Sequence, residues 1–293
     1  MRGEEESERT VGKVAIVTDS TADIPPDLAS RRGIRVVPCQ VLFGNQVLRD
    51  GVDIQPAEFY RRLRESRTLP TTSQPATGDF VVAYRELNQW ADSIVSIHLS
   101  EALSGTVAFA RTAIGQMESH VPIHVVDSRL VSMAMGLVVL AAADMADAGL
   151  DAPQIVEGVS ALIPKVNALF VVDTLEYLHR GGRIGGAERF FGSLLSIKPL
   201  LEIAHGKVEA LEKTRTKRRA AARLLEVVEE RLDSAQKVRF AVAHGAALQD
   251  ALDLKAEIER RFHQPVPYVC DFSPVIGVHA GPGVFGTAFY IEE

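Results

Sequence analysis

Over the first 165 residues, short apolar runs that end in turn residues alternate with helical stretches. No other feature of this chain narrows its fold as much. Val14–Ser20, Ile34–Phe43, Ser93–Leu99 and Ile123–Ser128 are short apolar runs bounded by turn signals, which predicts buried strands. Pro38 makes an interior sheet position for the second run unfavourable, because proline donates no N–H to the ladder. Helices are predicted over Pro56–Ser66, where Pro56 occupies the first turn, and over Asp79–Leu87, Val107–Met117, 133–148 and 152–165. Leu69–Gly78 holds two prolines and a glycine, which predicts a loop. Such alternation is the signature of a parallel sheet crossed by helices.

From Lys165 onward the pattern changes. Val171–Thr174, Lys198–Ile203, Lys207–Glu212, Val238–Ala243 and Val284–Ile291 predict strands, separated in places by helices over 214–233 and 248–262. Tight turns such as His205-Gly206 join some strands directly and favour antiparallel pairing. The expectation is an α/β chain of two domains: an N-terminal parallel α/β sheet domain over 11–165 and a C-terminal α+β domain with a largely antiparallel sheet over 166–293. Glu4, Glu5, Glu6 and Glu8 repel one another, so residues 1–10 read as a solvated acidic tail.

Composition removes several classes of function. The net charge is −6, which gives no reason to expect a nucleic-acid partner. The longest apolar stretch, Val131–Ala143, stops at Asp144, well short of the ~20 residues a membrane span needs. The first ten residues are acidic with no apolar core, so no secretion signal is expected. Cys39 and Cys270 are the only cysteines and form no CxxC pair, which fits a reducing cytoplasm. With 293 residues, 46% of them apolar, the chain can bury a large core and still enclose a cavity.

Several motifs are candidates for chemistry. Asp19-Ser20, Asp127-Ser128 and Asp173-Thr174 stand where predicted strands end, the place where open α/β sheets bind ligands; helix capping and turn chemistry explain the same residues. Ser104-Gly105-Thr106 opens a helix after a buried strand, so it offers unpaired N–H groups and a hydroxyl to an anion, or simply a cap. Thr71-Thr72-Ser73 forms a second hydroxyl cluster at the same sheet end. Neutral hydroxyls suit a carboxylate better than a triphosphate, which recruits Lys or Mg²⁺.

Gly281–Gly286 matches GxGxxG, but no helix can follow it, so it reads as a tight turn beside His279 rather than a dinucleotide site. His179–Gly186 places Arg180 and Arg183 in a glycine-rich turn, where arginines meet anions or stay solvated. Lys213–Arg223 is strongly basic, yet Glu226, Glu229 and Glu230 follow it and favour a solvated helix face. No HExxH and no GxSxG elbow occurs, and the one HxxxH, His120 to His124, contains a proline, so a metal centre or a classical hydrolase is not expected.

Taken together, Val17–Asp23, Thr72-Ser-Gln-Pro, Leu103-Ser-Gly-Thr, Leu175–Gly186 with its RGGRIGG run, and His279-Ala-Gly-Pro-Gly resemble the DegV family over about residues 13–291. These are bacterial fatty-acid-binding proteins that include the acyl-carrying subunits of fatty acid kinase. The resemblance implies one long-chain fatty acid in an internal apolar tunnel between two domains, with its carboxylate held by Thr72 and Ser104. It implies that His279, Arg180 and Arg183 lie toward the mouth, near the head group or where the kinase docks. It further implies a non-catalytic subunit without cofactor or metal, whose ATP-dependent kinase partner makes an acyl phosphate for phospholipid synthesis. Transient membrane contact and chain-length preference are left open. A stand-alone phosphotransfer or hydrolytic enzyme using His279 is the alternative.

Overall fold

The computed structural model describes residues 12–66, 68–191, 197–232 and 237–292. The acidic tail expected over residues 1–10 lies outside them. The N-terminal half contributes β1 (Val14–Asp19), α1 (Pro26–Arg31), β2 (Arg35–Val37), β3 (Gln40–Phe43), β4 (Gln46–Arg49), α2 (Pro56–Glu65), β5 (Thr71–Ser73), α3 (Thr77–Leu87), β6 (Ser93–His98), α4 (Thr106–Ile114), β7 (Ile123–Asp127), α5 (Met133–Asp147) and α6 (Ala152–Leu162). The C-terminal half adds β8 (Asn167–Val171), α7 (Glu176–Arg180), β9 (Lys198–Ala204), β10 (Lys207–Thr214), α8 (Lys217–Arg231), β11 (Val238–His244), α9 (Leu248–Phe262), β12 (Tyr268–Asp271), α10 (Pro274–Ala280) and β13 (Phe285–Ile291).

Four strands in the order β2-β1-β6-β7 form a wholly parallel sheet. Six more, in the order β10-β9-β8-β13-β11-β12, form a largely antiparallel sheet in which only β11 and β12 run parallel. A small antiparallel sheet, β4-β3-β5, stands apart.

Side chains alternate across each strand, and the alternation builds the layers. Ala15, Val17 and Ile94 join a core with Phe80 and Ala110 of α3 and α4, whereas Ile16, Val95 and Ile97 face the core that contains α5. Met133 to Ala143 of α5 is buried at every position, as expected for a helix enclosed on all sides. It packs on β1 and β6 of one sheet and on β11 and β13 of the other. α8 and α9 cover the far face of the six-stranded sheet. The small sheet encloses a separate cluster with α2 and α10, built from Val41, Phe59, Leu63, Val275 and Val278. Residue 166 falls between α6 and β8, and the largest core runs across it, joining Ile16 to Ala168 and Ala241.

The structure corrects three expected elements. Ile34–Phe43 is not one strand: the chain breaks at Pro38 and Cys39, and β2 and β3 enter different sheets. Thr71–Ser73, expected as loop, pairs with Leu42, Val41 and Gln40 of β3. The strand expected at Val171–Thr174 is β8, which ends at Val171, so Asp173 and Thr174 lie beyond it. The glycine-rich segment after Leu175 is also more ordered than a plain turn, since it holds α7 and a 3-10 turn over Gly185–Phe190.

Candidate functional site

A cavity of about 140 Å³ lies where the N-terminal end of α5 meets one face of the six-stranded sheet. One water-sized group fills about 10–15 Å³, so the space holds on the order of ten. Its cause is legible in the register. Ala241, Ala288 and Ala168 sit side by side on β11, β13 and β8, and the next row pairs Ala243 with Gly286. The opposite face of the same strands carries Phe240, Val242, Phe285, Phe289 and Val171 in a packed core. Phe170 continues the row of Ala243 and Gly286, and the small residues around it leave a floor that no side chain fills. Leu99, Leu178, Ile203, Phe272 and Val284 complete the apolar wall.

Polar groups gather at one end. Thr72 of β5, Ser104 at the start of α4, Arg183 and His279 all line the cavity. Thr72 Oγ1 lies 2.8 Å from His279 Nε2 on the last turn of α10. Ser104 Oγ lies 2.9 Å from Thr106 Oγ1. A Cβ on Gly105 would stand 3.9 Å from Gln74 Cδ, so the two hydroxyl-bearing loops are adjacent. Arg183 ties a third loop to them, since its Nε donates to Leu103 O at 3.0 Å and its Nη1 to Gly181 O at 2.8 Å. Burial and the nearby Arg183 charge push the His279 pKa down to about 4, so the ring is neutral at neutral pH. Its Nδ1 is enclosed without a hydrogen-bond partner. A Cβ at position 181 would fall 2.2 Å from that nitrogen, so Gly181 is what lets the loop close over the ring.

Arg180 is not part of this cluster. It is exposed on α7 and pairs with Glu176 at 2.9 Å. The three aspartates expected at strand ends do not line the cavity. Asp19 is fully buried and accepts from Thr21 Oγ1 (2.5 Å) and Leu99 N (3.1 Å), with His98 Nδ1 at 3.0 Å. Asp127 accepts from the backbone of Glu101 and Arg129, as turn chemistry requires. Asp173 pairs with Lys198 and Lys217. In the basic run, Lys217 also meets Asp250, and Arg223 meets Glu212, Glu226 and Glu230.

The sequence reading missed the alanine floor, although the alternation Phe285-Gly286-Thr287-Ala288-Phe289 carries it. It also missed a second polar patch in the wall, where Ser132 Oγ donates to Asp23 Oδ2 at 2.5 Å. Among the described residues, no group of three or more His, Cys, Asp or Glu is placed to hold a metal ion. No described helix is long and apolar enough to cross a membrane.

Two sheets that share one buried helix, with an apolar cavity whose lining includes hydroxyls, an imidazole and Arg183, define an α/β protein built around an enclosed space. The chain belongs to the DegV family, whose model, described as "Uncharacterised protein, DegV family", matches residues 13–292. A DegV domain-containing protein of Halalkalibacterium halodurans is 40% identical over 282 residues, covering 96% of this chain and 99% of its own. Two relatives of solved structure share the fold. One is a DegV family protein from Thermus thermophilus described for its fatty acid binding, with 35% identity, a TM-score of 0.90 and coverage of 96% and 100%. The other is DegV of Bacillus subtilis, described as a fatty acid binding protein, with 33% identity, a TM-score of 0.88 and the same coverage.

Proposed function

We propose that this chain binds one long-chain fatty acid in an internal tunnel between its two domains, residues 11–165 and 166–293. In this reading Thr72 and Ser104 hold the carboxylate, which the chain presents to an ATP-dependent kinase subunit. The observation that carries it is the pairing of an alanine-floored apolar cavity with one cluster of hydroxyls at its end. The fatty acid binding of the two relatives of solved structure supports the same reading.

The energetics suit a lipid. Each buried methylene is worth ~0.8 kcal/mol, so about 14 of them yield on the order of 11 kcal/mol before association costs. Affinity therefore needs no strong charged anchor, and neutral donors suffice to orient the head. With its proton on Nε2, neutral His279 donates to Thr72 Oγ1 and leaves the Thr72 hydroxyl proton for the carboxylate. Arg183 supplies positive charge beside the head group. Arg180, displaced outward on α7, belongs to the docking surface for the kinase.

Extraction of the purified protein into organic solvent, followed by mass spectrometry, should recover a fatty acid at near-stoichiometric yield. Fatty acid, ATP and Mg²⁺ with the isolated protein should give no acyl phosphate, and adding the kinase should start its formation. Robust turnover by the protein alone, abolished by His279→Ala, would establish the enzyme reading instead.

A further inference from the structure

The helix that carries His279 is only seven residues long, too short to hold its place by itself. It forms part of the cavity wall through Val275, Ile276 and His279, and its position decides where the imidazole stands. The Thr72–His279 contact ties down its last turn. Its first turn meets a carboxylate from the opposite end of the chain. Ser273 N donates to Asp23 Oδ1 at 3.0 Å, while the other oxygen of Asp23 takes Ser132 Oγ. Asp50 accepts from Ser20 Oγ at 2.8 Å, while its Oδ1 and the Ser273 hydroxyl are enclosed without a hydrogen-bond partner.

Both acids are costly to place there. Asp50 is 2% exposed, and burial raises its pKa to about 7; burial also raises that of Asp23 well above the ordinary carboxylate range. Asp23 adopts a left-handed backbone with φ of 53°, which disfavours most side chains. Such costs persist where the surrounding geometry depends on them. From its other side α10 is pressed by α2: a Cβ at Gly277 would fall 2.4 Å from the Phe59 ring and 2.8 Å from Tyr60 Oη. Packing thus stops α10 from moving toward α2, and the bond from Ser273 N to Asp23 stops it from sliding along its axis. A slip by one residue displaces a side chain by about 1.5 Å and turns it by about 100°, enough to break the contact between His279 and Thr72.

We propose that Asp23 is a positioning residue for the polar end of the cavity, fixing the first turn of α10 so that its last turn keeps His279 against Thr72. The proposal rests on the reading of Thr72, Ser104 and His279 as the head-group site. It differs from a role in general stability, because it concerns the head of the ligand and not the tail.

The test compares affinity for hexadecanoic acid and for hexadecanol, which share a tail and differ in the head. The wild-type protein should prefer the acid. Asp23→Ala should reduce that preference about tenfold or more, the loss expected when a hydrogen bond to a charged group is misplaced, and leave alcohol affinity within about twofold. Asp23→Asn, which keeps an acceptor for Ser273 N, should retain most of the preference. Ser273→Pro, which removes the N–H that Asp23 accepts at a φ of −57° that proline allows, serves as the second probe if an aspartate variant does not fold, and it should likewise lower the preference. Variants that keep the wild-type ratio, or that lose acid and alcohol equally, overturn the positioning role. A wild-type protein that does not distinguish the two ligands overturns the head-group reading itself.

Discussion

Enlarging one alanine of the cavity floor should separate ligand binding from folding. Ala288 is buried on β13 between Ala241 and Ala168 and lines the cavity. Ala288→Leu adds three carbon groups to a space of about 140 Å³. At ~0.8 kcal/mol per buried methylene, the added groups are worth about 2.4 kcal/mol. In the ligand-free protein they fill a void, so stability should rise by up to that amount. In the complex they displace the same length of acyl chain, so affinity should fall about 50-fold. Urea unfolding of delipidated protein reads the first effect, and calorimetric titration with a fatty acid reads the second. As a control, Val171→Ala on the opposite face of the sheet should cost stability and leave affinity unchanged. If Ala288→Leu destabilises the ligand-free protein and binds as tightly as wild type, the floor faces packed protein and the reasoning fails.

Ser104→Ala and Thr72→Ala should each weaken fatty acid binding by ~1.5–3 kcal/mol, the usual worth of a hydrogen bond to a charged group; unchanged titrations would remove both from the head-group site. Arg180→Ala should retain lipid and depress acyl phosphate formation with the kinase, and loss of lipid with normal coupling would move Arg180 into the cavity. The pH dependence of stability contains two opposed contributions. Asp50 protonates at about 7 in the fold against about 3.9 unfolded, so its protonation adds stability that is complete below pH ~4 and gone by pH ~7, on the order of 4 kcal/mol. Neutral His279, at about 4 against 6.5, carries stability present above pH ~6.5 and lost toward pH ~4, on the order of 3 kcal/mol. Relative to wild type, Asp50→Asn should therefore lose stability and His279→Gln gain it as pH falls from 6.5 to 4. Urea midpoints that run parallel for all three proteins would contradict both shifts.

Much of the fold follows from local pattern. β1, β6 and β7 are apolar runs of five or six residues, and the helices α3, α4 and α5 around β6 and β7 begin and end near the predicted residues, whereas α1 after β1 was not predicted. α9 spans Leu248–Phe262, the very range predicted, because its apolar stripe and its polar flanks change together. Short elements were less legible. β5 has three residues whose strand state comes from pairing with β3, a contact across about thirty residues of sequence that no local propensity reports. α10 was missed for a similar reason. Seven residues begun by a proline and followed by a glycine look like a turn, and what makes them a helix is tertiary: the carboxylate of Asp23 at one end and packing on α2 along one side.

The site divides in the same way. Hydroxyls and a histidine are positive signals, and resemblance to a known family singled out Thr72, Ser104, Arg180, Arg183 and His279, all of which except Arg180 line the cavity. A cavity is specified by what is missing, and a missing side chain is a weak signal. Ala168, Ala241, Ala243 and Ala288 are ordinary strand residues taken singly. They form a floor only because β8, β13 and β11 place them in adjacent rows, in a strand order of which the sequence gives no direct sign. Their meaning lies in the contrast with Phe240, Phe285 and Phe289 on the other face. A sheet that buries both faces normally fills both, since interiors pack to the density of organic crystals. Here one face is filled and the other is left open beside a helix that is apolar all round, so the molecule as folded retains apolar surface without a partner. An apolar chain suits such a space, and in the proposed reading the hydroxyls at its end fix which way round that chain lies.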